Sequence, residues 1–215
     1  MDVFLPGPAG RLEAIYHEPR GVSSDVEPNA VAAVCHPHPA HGGNMHNTVT
    51  FRIARGLQRA GVACVRFNFR GVGASEGEVD GGGAEQGDVR AALDWLAERF
   101  PGAPLWAAGF SFGSRTCFGL ALRDSSVERL LLVGFPAKVY PLHGVDSLRI
   151  PALFLSGTRD DFGTLDDLRD QYPALPETFE LEEVEGADHF FRPRTKEVEE
   201  RVLAYAARAL GLQQP

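Results

Sequence analysis

The chain has 215 residues, 44% hydrophobic and 23% charged, the make-up of an ordinary globular protein, so residues 1–215 are expected to form one α/β domain. A formal net charge of −8, with Lys and Arg outnumbered and dispersed, argues against a nucleic-acid partner, whose phosphates need clustered cations. Met1 to Pro19 lacks a basic start followed by an apolar stretch, and no later run approaches the roughly 18 apolar residues of a membrane span, so a cytoplasmic location with no membrane partner is expected.

In chain order, Val3 to Leu5 and Leu12 to His17 flank Pro6 to Gly10 and predict an antiparallel hairpin at a sheet edge. Apolar runs follow at Val31 to Cys35, Val62 to Phe67, Leu105 to Ala108, Leu130 to Val133, Ala152 to Leu155 and Thr178 to Val184. Between the early runs lie two helical stripes, Val49, Ile53, Leu57, Ala60 and Val89, Leu93, Leu96, Phe100; a third begins near Arg194 with Val198, Val202, Tyr205 and Leu210. Continuous apolar strands alternating with one-sided helices predict a mostly parallel sheet with helices on both faces. Cys35, Cys64 and Cys117, an odd number scattered through apolar stretches, are expected to be buried, reduced thiols.

In open α/β sheets reactive groups collect beyond the carboxyl ends of the strands, so candidates are sought just after each run. After Leu105 to Ala108 comes Gly109-Phe110-Ser111-Phe112-Gly113, which has the form of a nucleophile elbow, a serine on a sharp strand-to-helix turn with glycines where a Cβ would not fit. A serine hydroxyl needs an imidazole to take its proton and a carboxylate to orient that imidazole. The chain supplies both: Gly157-Thr158-Arg159-Asp160-Asp161 after one run, and Gly186-Ala187-Asp188-His189 after the next. The order Ser, Asp, His is that of the α/β-hydrolase fold. Asp160 is the expected acid, with Asp161 the alternative and Asp188 a weaker one; the acidic pair could also precede a helix capped by Thr164 and Asp167.

An oxyanion hole needs backbone N–H donors. Phe112 supplies one; in His36-Pro37-His38-Pro39-Ala40 the prolines cannot donate, so His38 is the expected second, with Ala40 next. The histidines of this loop, His36, His38, His41 and His46, also invite a metal reading, and the extended His-Pro-His segment would point His36 and His38 the same way. No carboxylate or cysteine set completes a familiar ligand spacing, so these histidines are expected to shape the loop or line the cleft, and no metal or organic cofactor is expected.

These residues resemble the small lidless bacterial α/β-hydrolases related to dienelactone hydrolase and to acyl-peptidase-like esterases. The resemblance runs from Cys35-His36-Pro37-His38-Pro39 and Gly42-Gly43-Asn44-Met45, through Arg66-Phe67-Asn68-Phe69-Arg70-Gly71-Val72-Gly73 and the elbow, to Gly157–Asp160 and Asp188-His189. It implies an α/β-hydrolase fold without a cap, with Ser111 as nucleophile, Asp160 as acid, His189 as base, and His38 and Phe112 as the oxyanion hole. Dienelactone hydrolases use a cysteine where this elbow holds serine, so their substrate is not carried over. The short stretch from Phe135 to the run at Ala152 leaves no room for a helical cap, and Phe110, Phe112, Val139, Tyr140 and Leu142 are candidates to line an open acyl pocket, with a place in the core an equal alternative for Phe110 and Phe112. Arg70 would meet a substrate carboxylate or, as the preferred reading, tie down its own loop. The expected reaction is hydrolysis of a small-molecule ester through an acyl-enzyme on Ser111; amide, peptide or thioester hydrolysis by the same triad, or a non-catalytic binding protein, are the alternatives.

Overall fold

The computed structural model describes residues 1–20 and 27–212. The N-terminal hairpin is β1 (Asp2–Gly7) and β2 (Gly10–His17), followed by β3 (Val31–Cys35), α1 (Thr48–Arg59), β4 (Ala63–Phe67) and α2 (Glu85–Arg99). Next come β5 (Leu105–Phe110), α3 (Phe112–Ala121), β6 (Val127–Val133), β7 (Ala152–Gly157), α4 (Leu165–Gln171), β8 (Phe179–Val184) and α5 (Thr195–Ala209). One sheet of eight strands takes the order β1-β2-β4-β3-β5-β6-β7-β8. Its first two strands are antiparallel at one edge, and the other six run parallel.

The central strands are buried on both faces, which is why they read as continuous apolar runs. Side chains alternate between two cores. Leu105 and Ala107 join Val89, Leu93, Cys117 and Phe118 under α2 and α3, whereas Trp106, Ala108 and Phe110 join Ile53, Leu57, Val198 and Val202 under α1 and α5. Each fully buried Leu, Ile or Phe in these layers contributes about 1.5–3 kcal/mol relative to exposure. α1 begins at Asn47, whose Oδ1 accepts the N–H groups of Val49 (2.9 Å) and Thr50 (3.2 Å), and it lies against α5 so closely that a Cβ on Gly56 would stand 2.6 Å from the carbonyl oxygen of Glu199. Among the described residues no helix is long and apolar enough to cross a membrane, and the three cysteines are buried and free.

Most differences from the sequence reading lie at element ends. β5 runs two residues further, to Phe110, and β6 starts at Val127 rather than Leu130. The Thr164 and Asp167 reading is realised as a capping box that starts α4: Thr164 Oγ1 accepts from Asp167 N–H at 3.2 Å and Asp167 Oδ2 accepts from Thr164 N–H at 2.8 Å. From Gly134 to Pro151 the chain is loop with one short 3-10 turn at Val145–Ser147, and among the described residues no helical cap lies over the sheet edge.

Candidate active site

Packing of α3 against the sheet sets the geometry of Ser111. A Cβ on Gly113 would stand 2.5 Å from the carbonyl oxygen of Cys35, and one on Gly109 would overlap the backbone of Gly113, so both glycines of the elbow are sterically required. Ser111 itself has φ 55° and ψ −117°, a conformation that costs a non-glycine residue on the order of 1–3 kcal/mol. The strain is held by Ser111 N–H donating to Val133 (2.9 Å) and by the Ser111 carbonyl accepting from the hydroxyl of Ser114 (2.6 Å).

Asp160 and His189 arrive on two loops laced together. Gly157 ends β7 where any Cβ would overlap the carbonyl of Ala187. Arg159 N–H donates to that carbonyl (3.0 Å), and Gly186 N–H donates to Thr158 Oγ1 (2.7 Å). The result brings Ser111, His189 and Asp160 into one hydrogen-bonded line: His189 Nε2 is 2.9 Å from Ser111 Oγ, and His189 Nδ1 is 2.9 and 2.8 Å from the two carboxylate oxygens of Asp160. With Nδ1–H donating to the carboxylate, Nε2 is left to accept from the serine hydroxyl. Asp160 also accepts Phe162 N–H at 2.8 Å, and its side chain is wholly buried. Asp161 is exposed, and Asp188 is engaged by the N–H (2.8 Å) and guanidinium (3.3 Å) of Arg192, so neither reaches His189. The imidazole is clamped by the rings of Phe110, Phe162 and Phe190 at centroid distances of 5.1, 4.5 and 5.3 Å.

The Phe112 N–H lies at the first turn of α3, where backbone donors are orphaned and the helix dipole favours negative charge. Neither it nor His38 N–H donates to an acceptor among the described residues. The N–H of Ala40, the next choice, is taken by His38 Nδ1 at 3.2 Å. His36 and His38 pack on neighbouring rings, Phe69 (4.7 Å between centroids) and Phe112 (4.8 Å), but differ in burial and in hydrogen-bond partners. His36 is buried with both nitrogens used, Nδ1–H donating to Pro37 O (2.7 Å) and Nε2 accepting from Phe69 N–H (3.1 Å), and burial holds its pKa down at about 4. His38 is half-buried in the cleft wall, and partial burial, then the neighbouring His41, lower its pKa.

Above Ser111 lies an open cleft of about 400 Å³. Val139 and Tyr140 line it as expected from sequence, Tyr140 lying under the Arg115 guanidinium 4.2 Å from the ring centroid. Phe110 and Leu142 do not line it. Both are fully buried, Phe110 because its position on β5 faces the α1 and α5 core behind His189, and Leu142 because it anchors the loop in the opposite core. Phe162, Phe190, Pro136 and Asn47 complete the wall without having been anticipated; Phe190 and Phe162 could have been suspected from their places beside His189 and two residues after Asp160. Arg70 donates through its backbone N–H (3.0 Å) and guanidinium (2.7 Å) to the buried Asp88 of α2, which ties down the loop after β4.

Sheet order, elbow and uncapped edge together define a serine hydrolase of the lidless α/β-hydrolase type. The chain belongs to the α/β hydrolase domain family, whose model matches residues 31–211. It is similar in structure to an α/β serine hydrolase homologue from Coxiella burnetii (32% identity, TM-score 0.87, covering 95% of this chain and 96% of the other). A protein from Xanthomonas campestris described as an α/β serine hydrolase without lid matches with 29% identity and a TM-score of 0.86, over 100% of this chain and 96% of its own. An uncharacterized protein of Rickettsia prowazekii is 34% identical over 213 residues, 94% of this chain and 87% of that protein.

Proposed function

We propose that this hydrolase cleaves carboxylic esters of small molecules through an acyl-enzyme on Ser111, with residues 1–215 acting as one catalytic unit. The observation that carries the reading is the line from Asp160 through His189 to Ser111 at hydrogen-bond distances, opening into a mostly apolar cleft. Ser111 Oγ attacks the ester carbonyl as His189 Nε2 takes its proton, and Asp160 holds the imidazole in the required tautomer. The developing oxyanion is received by the N–H groups of Phe112 and His38, each such donor worth about 3 kcal/mol in the transition state. His189 then returns the proton to the departing alcohol. Water, deprotonated by the same imidazole, attacks the acyl-enzyme and frees the acid. Val139, Tyr140 and Phe162 offer apolar contact for the organic groups flanking the ester.

A panel of p-nitrophenyl esters, the matching thioesters and anilides, and a fluorophosphonate probe test the reading. Esters are expected to turn over fastest, with Ser111→Ala abolishing probe labelling and lowering kcat by several orders of magnitude. Probe labelling with no turnover across the panel would instead assign a binding role, and a faster thioester or anilide would reassign the substrate class.

A further inference from the structure

The reaction as proposed uses the backbone N–H of His38, and it leaves the imidazole unexplained. Its Nδ1 accepts the Ala40 N–H at 3.2 Å, so in the neutral ring the proton sits on Nε2. That Nε2–H makes no hydrogen bond to any described residue, although His38 lines the cleft. The ring is held in place, with centroids 4.8 Å from Phe112 and 5.0 Å from His41. Partial burial, then the neighbouring His41, disfavour its protonation, which preserves the acceptor role of Nδ1 and hence the tautomer.

The side of Ser111 on which the ring lies follows from the two cores. His189 packs on Phe110 in the α1 and α5 layer, whereas Phe112, and with it His38, belongs to the α2 and α3 layer. The leaving alcohol must stay within reach of His189 Nε2 to be protonated, which puts the acyl half of the ester toward Phe112, His38 and Tyr140. Resting on the reading of Ser111 as an ester-cleaving nucleophile, we infer that the His38 imidazole is a specificity-determining residue. Its Nε2–H donates to an oxygen in the acyl chain, so the preferred substrates are esters of ether-, hydroxy- or oxo-substituted acids rather than of plain hydrocarbon acids. A neutral donor in a largely apolar wall discriminates because a chain without an acceptor leaves that N–H unpaired.

Three p-nitrophenyl esters of nearly equal size test this: pentanoate, ethoxyacetate and β-methoxypropanoate. Each ether's kcat/KM is divided by that for pentanoate, and the ratio is compared between the wild type and two variants, so the inductive effect of the oxygen cancels. His38→Phe keeps a ring against Phe112, and His38→Asn keeps a side-chain acceptor for the Ala40 N–H; both retain the backbone N–H at position 38. For at least one ether the ratio is expected to fall about five- to tenfold in each variant, the worth of one neutral hydrogen bond, chiefly through KM. Ratios that stay at the wild-type value, with all three esters affected alike, would overturn the inference and leave the ring as a loop support only. A wild type that turns over none of the three brings down the ester reading and the inference with it, whereas wild-type turnover with unchanged ratios overturns the inference alone.

Discussion

Replacing Asp160 by asparagine changes the shape of the site by almost nothing, but it removes one negative charge and turns one acceptor oxygen into a donor NH2. Both carboxylate oxygens of Asp160 lie near His189 Nδ1, Oδ1 at 2.9 Å and Oδ2 at 2.8 Å, but Oδ1 also accepts Phe162 N–H at 2.8 Å, so an amide at this position keeps its oxygen there and sets its NH2 in the place of Oδ2, against Nδ1. A donor facing Nδ1 forces the other tautomer, with the ring proton on Nε2. Nε2 can then no longer accept from Ser111 Oγ, 2.9 Å away. A wrong tautomer in a Ser-His-Asp constellation costs about 10⁴ in kcat, which at about 1.4 kcal/mol per tenfold raises the barrier by about 5.5 kcal/mol. The assay is kcat and KM for a p-nitrophenyl ester with Asp160→Asn and Asp161→Asn side by side, thermal midpoints confirming that both are folded. Asp160→Asn is expected to lose about 10⁴ in kcat with KM little changed. Asp161 is exposed, and its variant is expected within about twofold of the wild type, as for a surface change away from the chemistry. Loss of activity in Asp161→Asn with Asp160→Asn within tenfold of the wild type would refute the reasoning.

Three further outcomes follow from the packing. The His36 pKa is held at about 4 in the fold against an ordinary 6.5, so only the unfolded chain binds that proton in between; stability is present above 6.5 and is lost as pH falls toward 4. Between pH 6.5 and 5 the loss from His36 is about 2 kcal/mol, to which His17, also lowered to about 4 by burial and the Arg66 charge, adds in the same direction. Urea unfolding across that window reads the slope, which should shrink in His36→Gln; an unchanged slope contradicts the assignment. Gly113→Ala, whose Cβ would stand 2.5 Å from Cys35 O and 2.7 Å from His36 O, should displace α3 and abolish fluorophosphonate labelling, and wild-type labelling would show that the elbow does not need that approach. Arg70→Ala should strand the buried Asp88 carboxylate and lower the thermal midpoint by on the order of 10 °C. An unchanged midpoint with a KM raised for anionic esters would restore the substrate-binding reading of Arg70.

The elbow, the acidic turn and the late histidine were legible because each follows a short apolar run, and a parallel sheet gathers all such run ends at one edge. Glycines at 109, 113 and 157 announced themselves through position, and the structure gives each a backbone neighbour that excludes a Cβ. The cleft wall was less legible, since it depends on which face a side chain takes. Phe110 shares the parity of Trp106 and Ala108 on β5, so strict alternation already placed it in the core behind His189. Leu142 had no such signal: it lies in an irregular loop where no periodicity says which way a side chain turns. His36 is buried against a tertiary partner, the Phe69 N–H, which no local pattern reveals, whereas His38 bonds locally to the Ala40 N–H.

The most direct test is to mix the enzyme with p-nitrophenyl acetate, quench during the first turnovers and map the modified peptide by mass spectrometry. The expected result is a burst of p-nitrophenol with an acetyl group on the peptide carrying Ser111, absent in Ser111→Ala. Acetyl on another residue, or turnover undiminished in Ser111→Ala, would contradict an acyl-enzyme at this serine.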